Sequence, residues 1–157
     1  MEANTNNLNP HKHSVHLAMG QGYATYFVLF LVGVFLDTFF HLELFSTPSA
    51  APFGIFLLFM STIVIFWAQI TSRNIDVENL TKDTFCRGPY CYTRSPTHWG
   101  LFFLVLGFGV IANAFFVVVT TIISFLISKL VFLRKGEKIL ANKYGAPYLE
   151  YKKQVKL

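Results

Sequence analysis

The sequence predicts an all-α, polytopic membrane protein with about four transmembrane helices, a C-terminal helical hairpin and an amphipathic cytosolic tail helix. Three observations predict it. The 157 residues are 54% hydrophobic and 13% charged, about half the charge of a typical soluble domain. Four apolar runs divide the chain, and its basic residues gather in two of the connecting segments. With 18 Phe and a mean hydropathy of +0.48, too little polar surface remains to cover a soluble globule.

Residues 1–22 form a polar N-terminal segment with Asn4, Asn6, Asn7, Asn9, His11, His13 and His16. No short apolar core follows a charged start, so no signal sequence is expected here. The apolar runs are roughly Tyr23 to Phe45, Pro52 to Ile70, Trp99 to Ile111 and Phe115 to Phe132. A helix needs about 20 apolar residues to cross the hydrocarbon layer. The third run is short and must begin near Pro96, in the interface, to reach across. Residues 23–157 form one membrane-embedded domain.

The loops set the orientation. Ser46 to Ala51 and Ala112-Asn113-Ala114 are uncharged. Ser72 to Arg94 carries Arg73, Lys82, Arg87 and Arg94, and the tail from Lys129 onward is rich in lysine. Positive residues stay on the cytoplasmic side. Both termini and the middle loop are therefore expected in the cytoplasm, with Cys86 and Cys91 as reduced thiols. Their spacing lacks further ligands, so no metal is expected. The basic residues flank apolar spans and form no stripe on a soluble module, so no nucleic-acid partner is expected.

Polar residues within the spans invite functional readings. Asp37 and His41 share a helix face and could pair; interfacial hydration is the alternative. Gln69 and Arg73 end the second span, either snorkelling or touching a cofactor site. In the tail, Ile139, Leu140, Tyr144, Tyr148, Leu149, Tyr151 and Val155 recur at threes and fours, interrupted at Gly145-Ala146-Pro147. This pattern predicts an amphipathic helix lying on an anionic leaflet, or a lid over a site at that leaflet.

The segment Arg87 to Gly100 carries the most chemistry. Gly88-Pro89 favours a turn and close backbone approach to a ligand. Pro96 suits the first turn of the third helix, and a helix start favours an anionic group. Tyr90, Tyr92 and Trp99 offer flat faces for an adenine ring or a sulfonium cation.

This stretch resembles the C-terminal signature of the isoprenylcysteine carboxyl methyltransferase and phospholipid methyltransferase superfamily. That signature has Gly-Pro-Tyr, then Arg-His-Pro or Arg-Asn-Pro, an aromatic residue and Gly. A two-helix hairpin follows, then an Arg with a Glu-Glu pair, Leu, Phe-Gly and two spaced Tyr before a Val. The chain supplies Gly88-Pro89-Tyr90, Arg94, Pro96 and Gly100, the hairpin, then Glu137, Leu140, Tyr144-Gly145, Tyr148, Tyr151 and Val155. The resemblance covers residues 82–155. It implies a membrane enzyme that transfers the methyl group of S-adenosyl-L-methionine to a lipophilic acceptor entering from the bilayer. It also implies cofactor contacts at Gly88, Pro89, Tyr90, Arg94, Ser95, Pro96, Thr97, His98, Gly100 and Glu137, with Lys82, Asp83, Thr84 and Phe85 lining the same pocket. Membrane lipids are the implied surroundings.

The chain departs from the signature in places. Ser95 stands for His or Asn, His98 for Tyr, Lys82 for His, Gly136 for the first Glu, and Phe132 for the Arg linked to an acceptor carboxylate. Arg134 and Glu137, three apart, could share one helix face and substitute. A carboxylate acceptor would need only a cation such as Arg134 to position it; an amine or thiol would need a base, for which His98 is best placed. Arg134, Glu137 and His98 are thus the candidates for catalysis, and Arg134→Ala or Glu137→Ala is expected to abolish transfer. Two other readings stand beside this one. One is a non-catalytic degenerate member or assembly partner, favoured by Phe132 and Gly136. The other is a sterol-type reductase using NADPH, disfavoured by the short chain.

Overall fold

The computed structural model describes residues 10–46, 48–73 and 86–155. Among them there is no strand, only an isolated bridge between Glu43 and Ala114. The helices are α1 (Pro10–Phe40), α2 (Ala51–Arg73), α3 (Pro96–Ile111), α4 (Phe115–Ile127), α5 (Arg134–Tyr144) and α6 (Ala146–Gln154). A π-helical stretch, Ser128–Leu133, joins α4 to α5 without a break. Helix α1 starts at Pro10, so the later part of the polar N-terminal segment belongs to the first helix.

Among the described residues, three stretches are long and apolar enough to cross a membrane: Gly20–Phe40, Ala51–Ser72 and Phe115–Asn142. The chain is accordingly a membrane protein in character. Helix α3 starts at Pro96, as the sequence requires, but has 16 residues. At 1.5 Å per residue it is about 24 Å long, short of a roughly 30 Å hydrocarbon core.

Burial is inverted relative to a water-soluble protein. Phe39 is 72% exposed, with Phe27, Phe35, Phe59 and Phe66 also facing out, whereas Ser61, Thr121, Ser124 and Ser128 are buried. Large apolar groups outside and small hydroxyls between helices suit a lipid solvent, where close packing and not water exclusion drives association. Three of these hydroxyls bond back along their own helix: Ser61 to the Leu58 carbonyl at 2.9 Å, Thr121 to the Val117 carbonyl at 2.6 Å and Ser124 to the Thr120 carbonyl at 2.7 Å.

The long helices lie in the spatial order α1, α4, α3, α2. Helices α2 and α3 approach closely where Gly54 and Gly107 face each other. A Cβ on either would come within 2.8 Å of the other's carbonyl oxygen.

At the end near the two uncharged turns the chain is tied together. Asp37 does not pair with His41. Its carboxylate accepts hydrogen bonds from the amides of Phe116 and Val117, both at 2.9 Å, and so caps the start of α4 from another helix. Unpaired amides and a partial positive charge at that helix start make this favourable. Asn113, with φ of 53°, turns the α3–α4 hairpin. Its side chain accepts from the Phe45 amide at 2.8 Å and donates to the Phe45 carbonyl at 2.9 Å.

Candidate functional site

At the opposite end, the loop before α3 and the tail helices close on each other. Gly88–Cys91 forms a short 3-10 helix. The amides of Tyr92 and Thr93 both donate to the Pro89 carbonyl at 3.2 Å. Gly88 has φ of 54°, and a Cβ there would meet Thr71 Oγ1 at 2.8 Å and Trp67 Nε1 at 3.1 Å. The close approach expected of this glycine is thus made to α2, which holds the loop from one side.

The tail holds it from the other. Gly145, with φ of 64°, ends α5 and lets α6 turn back. This is the interruption read from Gly145-Ala146-Pro147, and it splits the tail into two helices where one was expected. Tyr148, Tyr151 and Val155 on α6 are buried together, packed against Cys86, Leu140, Ala141 and Tyr144. The Tyr151 hydroxyl donates to the Tyr90 carbonyl at 2.7 Å.

The charged centre lies between them. Arg94 Nη1 pairs with Glu137 Oε1, and Lys152 Nζ lies 2.9 Å from Glu137 Oε2. The Arg94 and Glu137 side chains are about nine-tenths buried, while Lys152 is more open. Arg94 Nε is buried with no hydrogen-bond partner among the described residues. Burial first and the charge of Glu137 second push the Tyr148 phenol up to about 12, against a lowering by Arg94. Burial and then the neighbouring Tyr148 push Tyr151 up as well.

Of the site residues read from sequence, the structure gathers Gly88, Pro89, Tyr90, Arg94 and Glu137. Lys82, Asp83, Thr84 and Phe85 lie outside the described residues. The Arg134–Glu137 partnership is not formed. Arg134 is exposed, and Glu137 points to Arg94 and Lys152, whose charges the loop and α6 bring to it. Cys86 and Cys91, expected as free thiols, are joined in a disulfide with Cα atoms 4.5 Å apart, because the 3-10 turn folds one back over the other. That bond removes the redox argument for a cytosolic loop.

Ser95, Pro96 and Thr97 start α3, with Gly100 packed against Ile65 of α2. His98 lies between helices: its ring stacks on Phe125 at 5.2 Å and meets Tyr26 edge-on at 5.4 Å. Trp99 is not an open face. It stacks on Phe103, and Lys129 Nζ sits 5.8 Å from its ring centre. Tyr92, 82% exposed, keeps its ring open. Phe132 packs on Gly22 of α1, and Gly136 fronts open space, with nothing within 4 Å of a Cβ built there.

Sequence reasoning missed Lys152, Tyr26 and Ser128. A surface lysine or a single polar residue in an apolar run carries no local signal. A separate pocket of about 240 Å³ lies at the far end, lined by Glu43, Phe45, Ala51, Val110 and Asn113 among others. The chain matches no family model and no curated protein.

Proposed function

We propose that the protein is an integral membrane methyltransferase that uses S-adenosyl-L-methionine to methylate a lipophilic acceptor. One observation carries the reading: the Tyr- and Pro-rich loop, helix α5 and helix α6 close into a single charged centre at one end of the helices. Arg94, Glu137 and Lys152 form that centre, and the Tyr90–Tyr151 hydrogen bond seals it. These are elements that the signature brings together for cofactor binding.

The residues present fit such a cofactor. Arg94 Nε is a buried donor with spare capacity, suited to a carboxylate. Glu137 supplies negative charge near a sulfonium or amino group, and Tyr92 an open aromatic face. The bound cofactor would supply an electrophilic methyl group. The chain's own work is to hold the acceptor in line and exclude water.

In this reading α3 crosses the membrane as a fourth span, starting within the interface, and the basic loop and tail face the cytoplasm. The short α3 keeps the loop close to the hydrocarbon, where a lipophilic acceptor can reach it.

The test is binding and transfer by the full chain in lipid nanodiscs. S-adenosylhomocysteine is expected to bind and NADPH not to. Label from methyl-labelled cofactor is expected to appear in extracted lipid. Binding of NADPH alone would favour the reductase reading. Binding of neither ligand would leave a non-catalytic membrane protein.

A further inference from the structure

Three polar atoms inside the helical bundle have no hydrogen-bond partner among the described residues: the Tyr26 hydroxyl, His98 Nε2 and Ser128 Oγ. Tyr26 is 3% exposed and Ser128 1%. Leaving such groups unpaired is costly, and more so in lipid, where no bulk water can serve them.

The three converge. Tyr26 and His98 are in edge-to-face contact. A Cβ on Gly22 of α1 would lie 3.6 Å from Phe132, and one on Gly33 would meet Val117 and Thr120, so α1 runs antiparallel to α4 and its π-helical extension. One turn along α1 from Gly22 is Tyr26; one turn back from Phe132 is Ser128. The register therefore sets Tyr26 against Ser128. Ser128 also breaks a series. Thr120, Thr121 and Ser124 each bond a carbonyl of their own helix, and the hydroxyl at the start of the π-helical stretch does not. Such stretches inside helices are frequent at functional sites.

We infer that Tyr26, His98 and Ser128 form an intramembrane niche for a neutral protic headgroup, a hydroxyl or thiol, on the lipophilic acceptor. The inference rests on the methyltransferase reading and names its acceptor class. Two hydroxyls and an imidazole offer both donors and acceptors, which match a group that both gives and takes a hydrogen bond. A carboxylate acceptor would call for a guanidinium fork. Arg94 Nη1 is engaged by Glu137, and its spare donor, Nε, is taken in the methyltransferase reading by the cofactor's carboxylate. Arg134 is exposed, and Phe132 occupies the position where the signature has Arg. Lys129, the nearby cation, lies over the faces of Trp99 and Phe125.

In the transfer step the headgroup's proton passes to His98 Nε2 as its oxygen or sulfur bonds to the methyl carbon. The methyl–sulfur bond breaks with its electron pair kept by the cofactor sulfur. The proton stays on His98 Nε2 until the methylated product leaves, and is released to bulk solvent only when the emptied niche opens to it.

The experiment measures binding of 4-decylphenol and of decanoic acid to the full chain in nanodiscs, beside S-adenosylhomocysteine. Tyr26→Phe and Ser128→Ala are each expected to weaken decylphenol binding about five- to tenfold, with S-adenosylhomocysteine binding unchanged. Unaltered decylphenol affinity in both variants overturns the niche. So does a loss of thermal stability with no change in affinity, which would identify a packing role. Decanoic acid binding more tightly than decylphenol, with the same dependence on Tyr26, overturns the neutral headgroup. If S-adenosylhomocysteine fails to bind while decylphenol depends on Tyr26 and Ser128, the niche stands and the cofactor reading falls.

Discussion

The phenol of Tyr151 donates a 2.7 Å hydrogen bond to the main-chain carbonyl of Tyr90, 61 residues earlier in the chain. It links the last helix directly to the loop before α3. Tyr151→Phe keeps the ring in its cluster with Tyr148 and Val155 and removes only the hydroxyl. The expected cost is about 1 kcal/mol, read as earlier thermal unfolding in detergent and faster proteolysis of α6. Unchanged protection of α6 would show that the hydrogen bond does not hold the tail.

The ion pair of Arg94 and Glu137 is buried, so removing one partner strands the other. Glu137→Leu is expected to destabilise by about 3–5 kcal/mol. Adding Arg94→Met is expected to recover most of that loss, since no buried charge is then left alone: Lys152, the other partner of Glu137, is open enough to be solvated. A double-mutant cycle on unfolding free energies checks this. Additive losses would mean that the two side chains do not act as a pair.

The two buried phenols make the tail sensitive to alkali. Tyr148 is raised from the usual 10 to about 12 by burial first and Glu137 second, and Tyr151 is raised by burial. The folded state therefore favours the neutral phenols. Their stabilisation is complete below pH 10 and is lost as pH rises through about 12. Ultraviolet titration of tyrosinate is expected to show delayed ionisation that disappears on unfolding or in Tyr148→Phe. A Tyr148→Phe titration identical to that of the unaltered chain would overturn the assignment.

Asp37 caps α4 through two amide hydrogen bonds from Phe116 and Val117. Asp37→Ala is expected to cost about 1–2 kcal/mol, within the range for lost helix caps. The effect should appear in unfolding and leave S-adenosylhomocysteine binding intact, because the cap lies at the end away from Arg94. A loss of binding without a loss of stability would instead make Asp37 part of the site.

Much of the architecture was legible in the sequence, because length and apolarity decide which segments suit a bilayer. The runs near 23–45, 52–70 and 115–132 became long helices, and Pro96 marked the start of α3. The break at Gly145 was visible for the same local reason. The partners of Glu137 were not legible. Arg134 lies three residues away on the same helix, yet Arg94 and Lys152 reach it from other elements. Charge pairing across a fold depends on tertiary register that local spacing does not encode. The same limit hid the target of Asp37, four residues from His41 but bonded to α4, and the convergence of Tyr26 with Ser128. The disulfide was missed because an expectation about compartment outweighed the short reach of the turn between Cys86 and Cys91.

The Asn113 clasp on Phe45 has a mechanical corollary. Together with the Asp37 cap it staples the α1–α2 connection and the α3–α4 hairpin at one rim, while α2 and α3 interlock at Gly54 and Gly107. One rim is thus tied by side chains reaching between the turns, and the other by the tail helices folded over the loop before α3. If the methyltransferase proposal holds, the rim closed by α6 is the one through which an acceptor would pass, and the tied rim is the one that would keep the helices in register meanwhile.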